Sequence, residues 1–198
     1  MGAGRGVVRV PDGVTSAPGW NRYVLRAALV SVGLCGASLL VMVVTDGWAF
    51  LVPMLLVALV GGTVLVVDLA EHRIPTPLVW TLAALCGAWA TWQAVADGTL
   101  WPLGRALLAG AAVAGVFWVK WWWGGTGRGD LRLAAVLAGL AGWLGWAPAV
   151  GALVIPYLLV FPVGVWKLAR GARGERIPFG PALVLGWFVA VTLHLWAS

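Results

Sequence analysis

The chain has 198 residues, of which 62% are hydrophobic and only 10% charged, with a formal net charge of +6. An average soluble domain carries about 25% charged residues, so this composition excludes an ordinary soluble enzyme and describes an integral membrane protein. The two cysteines, Cys35 and Cys86, each lie inside an apolar run with no Cys-x-x-Cys pair, and with only two histidines neither a zinc site nor a disulfide framework is expected; no cofactor is implied.

Hydrocarbon about 30 Å thick is crossed by roughly 20 apolar residues of helix. After a polar leader over residues 1–23, seven stretches qualify or nearly so: Val24 to Thr45, Trp48 to Ala70, Pro77 to Ala96, Trp101 to Trp123, Leu131 to Trp146, Ala149 to Ala169 and Phe179 to Trp196. The expected fold is all-α, a polytopic transmembrane helix bundle of about seven spans in one domain. The first apolar run exceeds the roughly 7 to 15 residues of a secretory signal, and no small-x-small cleavage site follows it. It is expected to stay as an anchor over residues 24–45.

Orientation follows from lysine and arginine placement. With the N-terminus in the cytoplasm and the C-terminus outside, all of the 13 basic residues except Arg105 fall on the cytoplasmic side or at its boundary, while Asp46 and Asp97 face outward. Spread through short loops, these charges suit membrane orientation better than a nucleic-acid partner. Of the 15 tryptophans, Trp20, Trp48, Trp101, Trp121 to Trp123, Trp146, Trp166 and Trp196 lie near span ends, where they form an interfacial belt rather than a base-stacking platform.

On this topology the second span delivers Asp68 to the cytoplasmic side, and the fifth span begins at Asp130 on the same side. A carboxylate at membrane depth is costly and points to function. Two of them at similar depth suit hydrolysis by an activated water: the ionised carboxylate takes a proton and the protonated one donates to the carbonyl or leaving amine, since two like charges in contact cannot both persist. Such a pair titrates as a unit, so neither residue is fixed as base or acid. A structural reading stands beside this one. Asp130 also suits a helix N-cap after a Gly-rich loop, and Asp68 an interfacial acid paired with Arg73 or His72.

Thr76-Pro77 reads as an N-cap with proline at the first helical position, and Pro178-Phe179-Gly180-Pro181 starts the last span similarly. Ala134, Ala138 and Gly142 recur every fourth residue of the fifth span, joined by Gly139 and Gly145, and would admit a neighbouring helix backbone. Gly124-Gly125-Thr126-Gly127 lacks the strand and the Gly-Lys-Ser/Thr ending of a phosphate loop. Arg128-Gly129-Asp130 matches an adhesion tripeptide by chance, and Glu71-His72 lacks metalloprotease spacing.

Three ordered blocks, spread over roughly Leu59 to Trp196, resemble the type IV prepilin peptidase family of Gly-x-Gly-Asp membrane aspartic peptidases. They are Asp68 with Ile74-Pro75, then Gly127-Arg128-Gly129-Asp130-Leu131-Arg132-Leu133 running on to Trp143-Leu144-Gly145-Trp146, then Ile177-Pro178-Phe179-Gly180-Pro181. The resemblance implies that Asp68 and Asp130 are the catalytic aspartates. It further implies an endopeptidase that removes the basic leader from prepilin or pseudopilin precursors of type IV pilus or protein secretion systems, at the cytoplasmic face of a bacterial-type inner membrane. Residues 46–198 would form its six-span core, with the span before them an added anchor. Gly127, Gly129, Arg132 and Thr76 are candidate substrate-contacting or site-shaping neighbours. Two positions depart from the family pattern, which usually has Asn or Asp at Thr76 and Lys at Arg132. Larger members add paired Cys-x-x-Cys motifs and N-methylate the trimmed pilin; without those motifs, peptidase activity alone is expected. Oligomeric state stays open.

A presenilin-like or signal-peptide-type peptidase shares the Gly-x-Gly-Asp frame, but Val67 stands where a Tyr would precede the first acid, and Ile74-Pro75 favours the prepilin reading. The alternative of another class is a non-catalytic membrane assembly or transport protein in which both acids cap or pair.

Overall fold

A computed structural model describes residues 20–71, 73–170 and 178–198. Among these residues the apolar runs form seven long helices: α1 Trp20–Thr45, α2 Leu51–Glu71, α3 Thr76–Ala96, α4 Trp101–Trp122, α5 Arg128–Leu144, α6 Trp146–Ala169 and α7 Gly180–Ala197, with a 3-10 turn over Trp48–Phe50 leading into α2. This is the all-α polytopic bundle expected. Six of the seven helices are long and apolar enough to cross a membrane. The remaining one, α5, has 17 residues and reaches only about 25 Å at 1.5 Å per residue.

That short helix occupies a sheltered place. Leu133, Ala134, Leu137, Ala138, Leu140, Ala141 and Gly142 of α5 are buried, and α5 packs against α3, α4, α6 and α7. Its small residues face α4: a Cβ built on Gly142 would lie 2.6 Å from the Ala109 Cβ, so these backbones meet where no side chain could stand. The small-residue pattern thus serves the α4 contact. Met42, Phe50, Met54, Leu82, Phe117, Leu133, Leu183 and Trp187 belong to the same continuous core.

Outside that core the surface is apolar, with Leu29, Leu40, Trp92, Leu107 and Phe161 all exposed. In a helical bundle whose backbone groups are satisfied internally, such a surface is the one that meets lipid. Most of the tryptophans assigned to an interfacial belt, including Trp48, Trp101, Trp122, Trp123, Trp146, Trp166 and Trp196, are exposed near helix ends.

Arg105, the exception to the charge pattern, has a local structural reason. It lies early in α4, beside the end of α5, where its Nε donates to the Gly142 carbonyl at 2.6 Å and its guanidinium also bonds the Trp143 carbonyl. The last carbonyls of a helix have no intrahelical partner, and a cation there complements the helix dipole. Arg105 is a C-terminal cap supplied from a neighbouring helix.

Candidate active site

Asp68 lies in the last turn of α2 and is 4% exposed. A carboxylate that deep requires hydrogen-bond donors, and one comes from α7, where the Gly180 amide donates to Asp68 Oδ2 at 3.0 Å. Phe179, the N-cap of α7, makes no side-chain cap bond. Asp68 therefore supplies from α2 the acceptor that the first turn of α7 lacks, at the positive end of that helix.

The approach depends on glycine. A Cβ on Gly180 would stand 2.8 Å from Asp68 Oδ2 and 3.3 Å from Ile74 Cδ1. Ile74, in the turn between α2 and α3, is also close to the start of α5, where a Cβ on Gly129 would stand 2.8 Å from the Ile74 Cβ. Ile74 is thus a wedge between the starts of α5 and α7, and glycine faces it on both sides.

Asp130 is the third residue of α5, and Gly127, in extended backbone, is the N-cap. The expectation that Asp130 itself is the cap is corrected by three residues: its Oδ2 reaches back to accept the Gly127 amide at 3.2 Å. This is the acidic half of a capping box; glycine has no side chain to supply the other half. The helix begins earlier than the apolar pattern because Arg128 and Gly129 complete its first turn without being hydrophobic.

Asp68 and Asp130 line one cavity of about 280 Å³ with Arg73, Ile74, Gly127 and Gly129. The structure therefore brings together both acids and both glycines singled out in the sequence. Thr76 and Arg132 lie beside this cavity rather than in its lining, and they are bonded to each other: Arg132 Nη1 donates to Thr76 Oγ1 at 3.0 Å. The two positions that depart from the expected pattern are thus one contact. The Arg132 guanidinium also lies 6.0 Å from the Trp80 ring centroid. Thr76 is not the cap of α3; Pro75 is, and the threonine hydroxyl is taken up by Arg132. Of the partners considered for Asp68, His72 lies outside the described residues, whereas Arg73 joins the cavity lining.

Sequence reasoning missed the Gly180 amide as the donor to Asp68. Phe179-Gly180-Pro181 was legible as a helix start, which announces free amides, but nothing local says which acid they meet. A cavity with two carboxyl groups in its wall has the components for acid and base assistance to an attacking water.

Fold and site together define a multi-pass helical membrane protein with a paired-carboxylate cavity at one end of its bundle. The chain is 31% identical to a prepilin leader peptidase/N-methyltransferase of Aeromonas salmonicida over 88% of its length and 57% of the relative. It is 34% identical to the Xanthomonas campestris protein of the same description, over 85% of its length and 58% of that relative. A Burkholderia pseudomallei relative, also so described, is 30% identical over 81% of the chain and 45% of its own length. No family model and no solved structure matches the chain. These homologues are all described as prepilin leader peptidase/N-methyltransferases, and the chain spans about half the length of the curated relatives it matches.

Proposed function

We propose that this chain is an aspartic endopeptidase that cleaves the basic leader from prepilin or pseudopilin precursors, with Asp68 and Asp130 as its two catalytic acids. The observation that carries the reading is the shared cavity, in which two acids from distant parts of the chain meet. One carboxylate, ionised, takes a proton from a water as its oxygen attacks the scissile carbonyl. The other, protonated, gives its proton to the carbonyl oxygen or the leaving amine. The pair shares one proton because two adjacent carboxylates resist ionising together. Peptide hydrolysis, and not methyl transfer, is the activity proposed.

The N-terminus is placed in the cytoplasm and the C-terminus outside, which puts the cavity at the cytoplasmic face of a bacterial-type inner membrane. Lysine and arginine distribution supports this orientation, and Arg105, its one exception, has a capping role that accounts for its position. Residues 46–198 form the unit that carries the site, with residues 24–45 as an anchor alongside α2 and residues 1–23 as a leader.

A second reading has specific support. Asp68 caps α7 and Asp130 bonds the start of α5, so both acids could be structural in a non-catalytic assembly or transport protein. Asp68→Asn and Asp130→Asn separate the two, because an amide oxygen still accepts the observed amide bonds but cannot serve as acid or base. Each variant is expected to insert and fold yet lose at least roughly a hundredfold in cleavage of a co-expressed prepilin, the lower range for general acid–base catalysis. Wild-type cleavage by either variant would eliminate the dyad.

A further inference from the structure

Lys120 stands in the last turn of α4, where an interfacial lysine ordinarily extends its ammonium into water. This one turns inward. Its Nζ donates to the Tyr157 hydroxyl of α6 at 2.6 Å and lies 4.2 Å from the Tyr157 ring centroid, 5.4 Å from that of Phe117 and 5.8 Å from that of Phe179. The three rings also pack on one another, with Tyr157 and Phe179 centroids 5.1 Å apart and Phe117 and Phe179 centroids 6.2 Å apart. A cation held over aromatic faces with little water around it is bound more firmly than an exposed one.

Phe179 is the link between this cluster and the cavity. It is the N-cap of α7, and the next amide, Gly180, is the donor to Asp68. The Phe179 ring packs on Tyr157 and Phe117 while the backbone that follows it carries that amide. One peptide unit therefore separates a ring held by the Lys120 cluster from a hydrogen bond on the carboxylate.

We propose that Lys120 is a positioning residue: by binding Tyr157 and the faces of Phe117 and Phe179 it ties α4, α6 and α7 together and holds the Gly180 amide on Asp68. Its expected effect on turnover rests on the peptidase reading above; its effect on the Gly180 amide does not. Lys120→Met keeps the length of the side chain and removes charge and donor, Lys120→Arg keeps both, and Tyr157→Phe keeps the ring and removes the hydroxyl.

The experiment uses the full chain in lipid nanodiscs, with steady-state cleavage of a purified prepilin and amide hydrogen exchange read on peptides covering residues 178–185. Losing a partly desolvated cation–π contact and its hydrogen bond corresponds to roughly tenfold in rate if its effect is realised at the acids. Lys120→Met is expected to lower kcat by that factor with KM little changed and to speed exchange at the start of α7. Lys120→Arg should restore both, and Tyr157→Phe should fall between. Unchanged exchange at the start of α7 in Lys120→Met would overturn the inference, as would equal losses of folded protein in Lys120→Met and Lys120→Arg. A wild-type chain that cleaves no prepilin would instead defeat the peptidase reading, while the exchange data still decide the role of Lys120.

Discussion

The Gly180 amide meets Asp68 Oδ2 at 3.0 Å, and the hydrogen atom on its Cα occupies space where a methyl group would lie 2.8 Å from the same oxygen. A buried acid and the start of a helix far along the chain are thus fitted to each other by the smallest side chain. Asp68 belongs to the rigid end of α2 and Ile74 closes the other side, so neither neighbour can yield freely.

Gly180→Ala is therefore expected to displace Asp68 or push α7 away from it. Overpacking of this kind costs about 1–3 kcal/mol, enough to lower the melting temperature while leaving insertion intact. Cleavage should fall by more than the folded fraction does, because the displaced atom belongs to the proposed dyad. Comparing residual activity per folded molecule with wild type, after size-exclusion chromatography, checks this; equal activity per folded molecule would contradict it.

Gly129 offers a sharper version of the same test, because its clash is with Ile74 Cβ at 2.8 Å, an atom that no rotamer change can move. Gly129→Ala should be damaging, and Ile74→Ala should not rescue it, since alanine keeps the offending Cβ. Ile74→Gly should relieve the clash at about 1 kcal/mol or more of its own cost in lost burial and backbone freedom. Rescue by Ile74→Ala would show that the spacing between these two turns is set by something else. Thermal unfolding of Gly129→Ala, of each Ile74 variant and of the two double variants decides it.

The helices were legible because each apolar run is near the length a bilayer demands and is closed by proline, glycine or charge. Their ends were less so: α1 starts at Trp20 rather than Val24, and α5 takes in Arg128 and Gly129, because polar residues continue a helix wherever its end reaches water. Asp68 and Asp130 stood out as acids in an apolar chain, and their placement at one cavity agrees with the shared depth read from the topology. What local pattern did not carry is which helix touches which. The small residues of α5 announce a face open to a neighbouring backbone, and Gly142 there accommodates Ala109 of α4. Spacing along one helix identifies a permissive face but not its occupant. Lys120 was counted only as a cytoplasmic-side charge, since the rings that turn it inward come from α4, α6 and the start of α7.

Thr76 and Arg132 form a contact that an amino-acid exchange at either position should disturb. Thr76→Val removes the acceptor at nearly constant shape, and Arg132→Lys keeps the charge but loses the planar fork that reaches Thr76 while lying near Trp80. A hydrogen bond to a charged group is worth about 1.5–3 kcal/mol when well shielded, and less at a half-exposed membrane boundary. A double-mutant cycle on thermal stability is expected to give a coupling of about 0.5–1.5 kcal/mol. Additive losses would mean that the two side chains act separately.

Arg105 predicts the opposite division between stability and activity. Its guanidinium satisfies the Gly142 and Trp143 carbonyls at the far end of α5 from Asp130. Removing it in Arg105→Met leaves those acceptors to water or to nothing, at about 1–3 kcal/mol, and takes a cation from the negative end of the helix dipole. The variant should unfold at lower temperature and be partly rescued by Arg105→Lys, which restores charge and one donor but not the fork. Per folded molecule, however, prepilin cleavage should match wild type, because α5 is held near Asp130 by Gly127, Gly129 and Ile74 at the other end. A fall in kcat without loss of stability would instead mean that strain at the end of α5 is transmitted along the helix to the acid, and that the cap is part of the catalytic scaffold.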